Sequence, residues 1–216
     1  MKNVIRGCAV CFILFAFVFF NCQPDTISLW NGQDFSGWEL FVPDEEVDVN
    51  TVWSVKDGVI HCTGVPNGYM RTVSEYSDYT LTLEWRWVEN GGNSGVLLHS
   101  QPPDKVWPKC IECQLQSGNA GDFVVMGGGT ITVNGEEHKR DSGFIMIPKM
   151  EESSEKPLGE WNTYRIICSE NEITCYVNDV LQNKGTNASL SKGKICFQSE
   201  GAPIEFRNIQ IESMNK

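Results

Sequence analysis

Residues 79–88 read YTLTLEWRWV. Tyr79, Leu81, Leu83, Trp85 and Trp87 share one parity, while Thr80, Thr82, Glu84 and Arg86 share the other. A strand alternates its side chains with period 2, so one face of this segment is core and the other is polar. A helical period would scatter both sets around the axis. The same alternation recurs in CIECQLQ (110–116) and KICFQSE (194–200). Further strand-like runs fall at 38–42, 52–55, 59–63, 69–72, 95–99, 123–126, 130–133, 143–147, 163–169, 172–177 and 203–212, separated by Gly, Pro, Asn and Asp. No window of ten or more residues carries a convincing helical apolar period. Many short strands with turn signals between them predict a single-domain, all-β sandwich of the jelly-roll kind.

The chain has 216 residues, 41% hydrophobic and 21% charged, which excludes a low-complexity polymer and a wholly disordered chain. A net charge of −11, with no basic stripe, makes nucleic acid and anionic lipid surfaces poor partners. Seven Trp, five Tyr and eleven Phe suit a strand-rich core and equally a sugar-binding surface. Residues 148–160, PKMEESSEKPLGE, are acidic and Pro-bounded and read as an exposed loop. The three glycines at 127–129 read as turn chemistry, since no Lys follows and no helix is available to make a phosphate loop.

The amino terminus reads as an address. Lys2 and Arg6 precede an uncharged, Phe-rich run from Ala9 to Phe20, too short to span a bilayer comfortably. The small residues of an ordinary cleavage site are missing, and Cys22 directly follows the run. The segment resembles a bacterial lipoprotein signal, which gives residues 1–21 as signal peptide, Cys22 as the lipidated first residue, 22–27 as a short tether and 28–216 as the folded domain. The expected location is the cell envelope, periplasmic or outer-membrane face, with the membrane reached through the lipid anchor only. An exported location permits disulfides. Of the six cysteines beyond Cys22, Cys168 and Cys175 are the expected bridge, set opposite each other by a turn at Asn171–Glu172, and the others act as small hydrophobes.

Strand parity also sorts the polar residues. Glu84 and Arg86, then Glu112, Gln114 and Gln116, then Gln198 and Glu200, all fall on non-core positions. Such rows either make a polar floor for a ligand or form the solvated face that antiparallel sheets commonly keep.

Seven segments taken together resemble the 3-keto-disaccharide hydrolase family, formerly a domain of unknown function. They are LWNGQDFSGWEL (29–40), VWSVKDGVIHCTG (52–64), the strand with Glu84 and Arg86, GGNSGVLLHS (91–100), IECQLQ (111–116), GEWNTYRI (159–166) and GKICFQSEGAPIEFRNIQI (193–211). The match is looser at His99, at Glu200 and in the Gly-rich stretch 117–135. The resemblance implies a concanavalin-like or glucanase-like jelly roll and cleavage of glycosides oxidised at C3. A ketone at C3 acidifies the C2 hydrogen, so a base removes it, the C1 oxygen leaves by elimination, and water then adds back. Such a site needs a base, an acid and a partner for the enolate oxygen. Glu112 and His99 are the acid and base candidates and Arg86 the enolate partner. Glu84, Gln114, Gln198 and Glu200 are substrate-binding candidates, with Trp107, in the Pro-bounded loop PPDKVWPKC, a sugar-stacking one. Glu84, Arg86, His99, Glu112, Gln114, Gln198 and Glu200 are expected on one cleft, with an oxidised glycoside as the carbohydrate partner. His61 and His138 read as structural. No cofactor is indicated. A divalent cation would serve as an enolate electrophile, but no clustered His/Asp/Glu spacing supports a metal site. The rival from another class is a carbohydrate-binding module without turnover.

Overall fold

The computed structural model describes residues 25–214. The expected signal peptide, residues 1–21, and Cys22 lie outside the described residues. Two large antiparallel sheets face each other, with strands numbered here in chain order. The first sheet runs Val180–Gly185 (β15), Glu172–Val177 (β14), Asn162–Ser169 (β13), Tyr79–Trp87 (β6), Ile204–Ser213 (β17), Val59–Cys62 (β4) and Trp53–Lys56 (β3), with Thr26–Ser28 (β1) also paired to β17. The second runs Phe144–Ile147 (β12), Phe123–Met126 (β9), Lys109–Gln114 (β8), Gly95–Gln101 (β7), Lys194–Ser199 (β16), Gly68–Thr72 (β5) and Trp38–Phe41 (β2). Thr130–Val133 (β10) and Glu136–Lys139 (β11) form a separate hairpin. The single helical piece among the described residues is a 3₁₀ turn at Val49–Thr51. The all-β jelly-roll sandwich read from the sequence is therefore the fold.

β6 behaves as its alternation dictates. Its odd residues are buried and its even residues are only partly covered, and the odd set joins the core between the sheets. Phe197 of β16 meets Phe206 of β17 across that core at a ring separation of 5.2 Å. The centre of the second sheet behaves differently. β7, β8 and β9 are buried on both faces, and Tyr69, Leu97, Cys110, Val124, Met126 and Cys196 form a second apolar cluster on the side away from the core. An antiparallel sheet buried on both faces must be covered by something besides its partner sheet. Here part of the cover is the loop 102–108, tied down by Arg71, whose Nη2 donates to Asp104 at 3.0 Å and whose Nε donates to Glu39 at 2.7 Å.

Two local expectations change, and one loop gains tethers. All six described cysteines are free. The β13–β14 turn centres on Glu170 and Asn171, so Cys168 pairs with Ile173 and Cys175 with Ile166, and the two sulfurs are not opposite each other. Residues 148–160 form the mostly exposed loop expected, and it is tethered to the sandwich. The Ser154 hydroxyl donates to the Val177 carbonyl at 2.7 Å, and the Glu155 carboxylate accepts the Gly118 and Ala120 N–H groups at 2.9 and 3.1 Å. β1, β11 and β15 are strands without a strand signal in the sequence. β1 is only three residues long, while the polar sequences EEHK and VLQNKG carry no apolar alternation.

Candidate active site

A cavity of about 190 Å³ opens on the outer face of the second sheet. Along β8 the residues Cys110, Glu112 and Gln114 point to this face, and Ile111, Cys113 and Leu115 join the core. Glu112 and Gln114 are floor residues. Gln198 and Glu200 enter from the end of β16, Asn93 from the turn before β7, and Trp107 from the covering loop. The Ser94 hydroxyl donates to the Gln198 carbonyl at 2.8 Å and pins that turn to β16.

The floor is electrostatically unusual. Glu112 is 3% exposed, and its Oε1 is buried without a hydrogen-bond partner. Burial, and after it the charge of Glu200, pushes the Glu112 carboxyl well above the ordinary carboxylate range. Burial therefore favours the protonated form of this carboxyl. Glu200 is also raised by burial, but a hydrogen bond with Asn93 opposes that rise. The two carboxyls thus share one cavity in different environments, an arrangement that can separate an acid from a base. Gln114 is locked: its Oε1 accepts the Leu115 and Gln116 N–H groups at 2.9 and 3.0 Å, which leaves its amide N–H groups for the cavity. Gln198 Oε1 and Asn93 Oδ1 are buried acceptors without partners. Unpaired buried polar atoms are costly, and three of them, Glu112 Oε1, Gln198 Oε1 and Asn93 Oδ1, belong to residues that line this cavity, where a polar ligand would satisfy them.

Of the eight residues singled out in the sequence, the structure gathers Glu112, Gln114, Gln198, Glu200 and Trp107. Glu84 and Arg86 are elsewhere, on the outer face of the other sheet. Arg86 donates to Glu205 at 2.5 Å and lies over the Trp161 ring, while Glu84 accepts from Arg207 at 2.6 Å. Parity was right for both, but parity does not say which sheet a strand joins. His99 is on the correct sheet but the wrong face. A bulge places His99 and Ser100 opposite Cys110, with His99 at φ 53°, and the ring turns inward to pack edge-on against Tyr79. His99 Nδ1 lies 3.0 Å from the Leu190 carbonyl, and burial lowers the imidazole pKa despite that bond. His61 pairs with Glu205 at 2.9 Å, and His138 faces Ile131 in the separate hairpin.

The sequence reading missed Asn93, Gln116 and the apolar wall made by Val124, Met126, Phe144 and Met146. Gln116 already stood in the polar row of β8, and Asn93 in the matched segment GGNSG. Among the described residues no group of three or more His, Cys, Asp or Glu is placed to hold a metal ion.

The partly covered outer face of this jelly roll thus carries a polar cavity with a buried carboxyl and unpaired amide acceptors. The chain belongs to the family of the 3-keto-alpha-glucoside-1,2-lyase-like domain, whose profile matches residues 25–212. No curated protein matches the chain. Among solved structures it is similar to a Parabacteroides distasonis protein described as a glycosyl hydrolase, with 24% identity over 88% of this chain and 94% of the other and a TM-score of 0.65. It is also similar to the Bacillus licheniformis β-glucanase, at 13% identity over 90% and 100% with a TM-score of 0.59. Carbohydrate-binding module CBM66 from Bacillus subtilis shares 13% identity over 82% and 96%, with a TM-score of 0.57. At these identities the likeness concerns the fold.

Proposed function

We propose that the protein cleaves the glycosidic bond of 3-keto-glycosides by elimination across C1 and C2. The observation that carries this reading is the buried, unpartnered Glu112 carboxyl beside a second carboxyl, Glu200, in one cavity. Ionised Glu200 takes the C2 proton, whose acidity the C3 ketone supplies. The electron pair forms the C1–C2 double bond, the C1–O bond breaks, and the departing oxygen takes the proton from Glu112. Water added across the double bond completes a net hydrolysis. The Gln114 amide donates to the enolate oxygen that develops at C3, in the role first given to Arg86, and Gln198 and Asn93 accept from sugar hydroxyls. Membrane attachment, on this reading, is through lipid on Cys22.

The test uses purified protein with 3-keto-glucosides carrying hydrogen or deuterium at C2. Turnover with a primary isotope effect on kcat/KM, and none on the unoxidised parent glycosides, is the expected result. Turnover of both without an isotope effect points to direct hydrolysis. Binding without turnover of either would leave a binding module, the role printed for the structural relative CBM66.

A further inference from the structure

The cavity is divided, and Glu112 sits on the dividing line. Strand register fixes the division. Across the sheet Glu112 pairs with Val124, and Val124 with Met146, while one step away Cys110 pairs with Met126 and Met126 with Phe144. The β9–β12 side of the cavity therefore offers carbon and thioether sulfur. Trp107, three residues before Cys110 in the chain, also lines the cavity. On the other side of Glu112 lie Gln114, Gln116, Asn93, Gln198 and Glu200, every one of them polar.

Three side chains of the apolar half stand out to solvent: Trp107 at 43%, Phe144 at 61% and Met146 at 42% exposed. Single exposed hydrophobics are ordinary, but three around one cavity are a surface held for contact. The polar half supplies the hydrogen bonds that a sugar ring requires. A second sugar in the apolar half would desolvate several hydroxyls with little to receive them, at about 1–3 kcal/mol for each one left unpaired. A flat apolar group loses nothing there, and methionine side chains adapt to its outline.

We propose that the β9–β12 half is the leaving-group subsite and that the leaving group it takes is an apolar, aromatic aglycone, so that the substrates are 3-keto derivatives of aryl or arylalkyl glycosides. The assignment rests on the reading above in which Glu112 protonates the leaving oxygen. That role puts the bond being broken at the boundary between the halves, the sugar on the polar side and the aglycone on the apolar side.

The test compares two 3-keto-glucosides in both anomers, one with a benzyl aglycone and one with a second glucose. A benzyl alkoxide leaves no more readily than a sugar's, so the comparison reports recognition. The benzyl compound is expected to have at least about tenfold higher kcat/KM, the range that apolar contacts give to enzyme discrimination. In a double variant Phe144→Ser, Met146→Ser, both at exposed positions, that ratio should fall below about threefold. Equal efficiency in the wild type, a preference for the disaccharide, or a ratio untouched by the double variant would overturn the aglycone assignment and leave the elimination reading standing. Turnover of neither compound would overturn the elimination reading, and the assignment with it.

Discussion

Glu112 lies over Gly95 of the neighbouring strand so closely that a Cβ on Gly95 would coincide with the Glu112 carboxylate. The glycine matters here for space rather than for backbone conformation, since its φ is not in the left-handed region and the space its missing side chain leaves is filled by Glu112. Gly95 thus sets where the proton donor sits. Gly95→Ala is expected to displace the carboxyl and lower kcat/KM by about a hundredfold, because a misplacement of order 1 Å is enough for that. Thermal unfolding should show a loss of only about 1–3 kcal/mol from the local overpacking. A Gly95→Ala protein with wild-type turnover would mean that the position of Glu112 does not matter.

Glu112→Gln separates stability from chemistry. A carboxyl raised in the folded state binds its proton more tightly folded than unfolded, so the contribution of Glu112 to stability is fully present below its ordinary value of 4.5 and is lost as pH climbs from there through the raised value. The amide has no proton to lose. Denaturant unfolding from pH 4 to 8 should show Glu112→Gln gaining on the wild type as pH rises, while its turnover of a 3-keto-glycoside drops by about 10²–10⁴. Parallel stability curves would show that Glu112 is not held neutral.

His99 is expected to matter for folding and not for turnover. Its depressed pKa means that the folded state keeps it neutral while the unfolded chain takes up a proton, so stability is present above 6.5 and lost as pH falls through the folded value. His99→Gln should flatten that acid loss and cost about 1–3 kcal/mol at neutral pH through the Leu190 bond and the Tyr79 packing. Its kcat/KM should stay within about threefold of wild type. A drop of a hundredfold in a folded variant would restore His99 to the reaction.

What could be read in advance divides along physical lines. Alternation on 79–88, 110–116 and 194–200 located the strands and the outward faces of Glu84, Arg86, Glu112 and Gln198, because parity is a local property. Sheet membership depends on pairing between distant segments, Asn162–Ser169 with Tyr79–Trp87 for example, and nothing in YTLTLEWRWV says that it lies in a different sheet from CIECQLQ. The His99 error came from a single inserted residue, since a bulge reverses parity beyond it. The apolar wall was hidden for another reason. Val124 and Met126 look like core by composition, and only the covered outer face of β9 turns them into a binding surface.

Cys22 offers a test independent of the site. The basic residues Lys2 and Arg6, the uncharged run to Phe20 and the lack of small residues before position 22 motivate lipid modification there. Mass spectrometry of protein from its native membrane should show a diacyl or triacyl mass on Cys22, and Cys22→Ser should release the protein from that membrane. A mature chain starting elsewhere, without lipid, would refute this reading.

The pair Glu112 and Glu200 should impose a bell on the pH dependence of kcat/KM. Each carboxyl is raised by burial, and the charge on Glu200 adds to the rise at Glu112, so removing the first proton from the pair makes the second harder to remove. The reactive form carries one proton, on Glu112. Below the first apparent pKa Glu200 is protonated and cannot accept from C2, and above the second Glu112 has none to give. Activity should therefore fall on both sides of a maximum, with the alkaline limb set by a carboxyl far above its ordinary value of 4.5. Glu200→Gln should abolish most turnover while leaving binding of the unoxidised glycoside within about threefold. It should also move the pH at which Glu112 loses its proton downward, because the neighbouring charge is gone. That shift can be followed by the same denaturant unfolding series as for Glu112→Gln. A window of stability loss that does not move in Glu200→Gln would show that the two carboxyls do not share a charge, and a single-limbed rate profile would remove one of them from the mechanism.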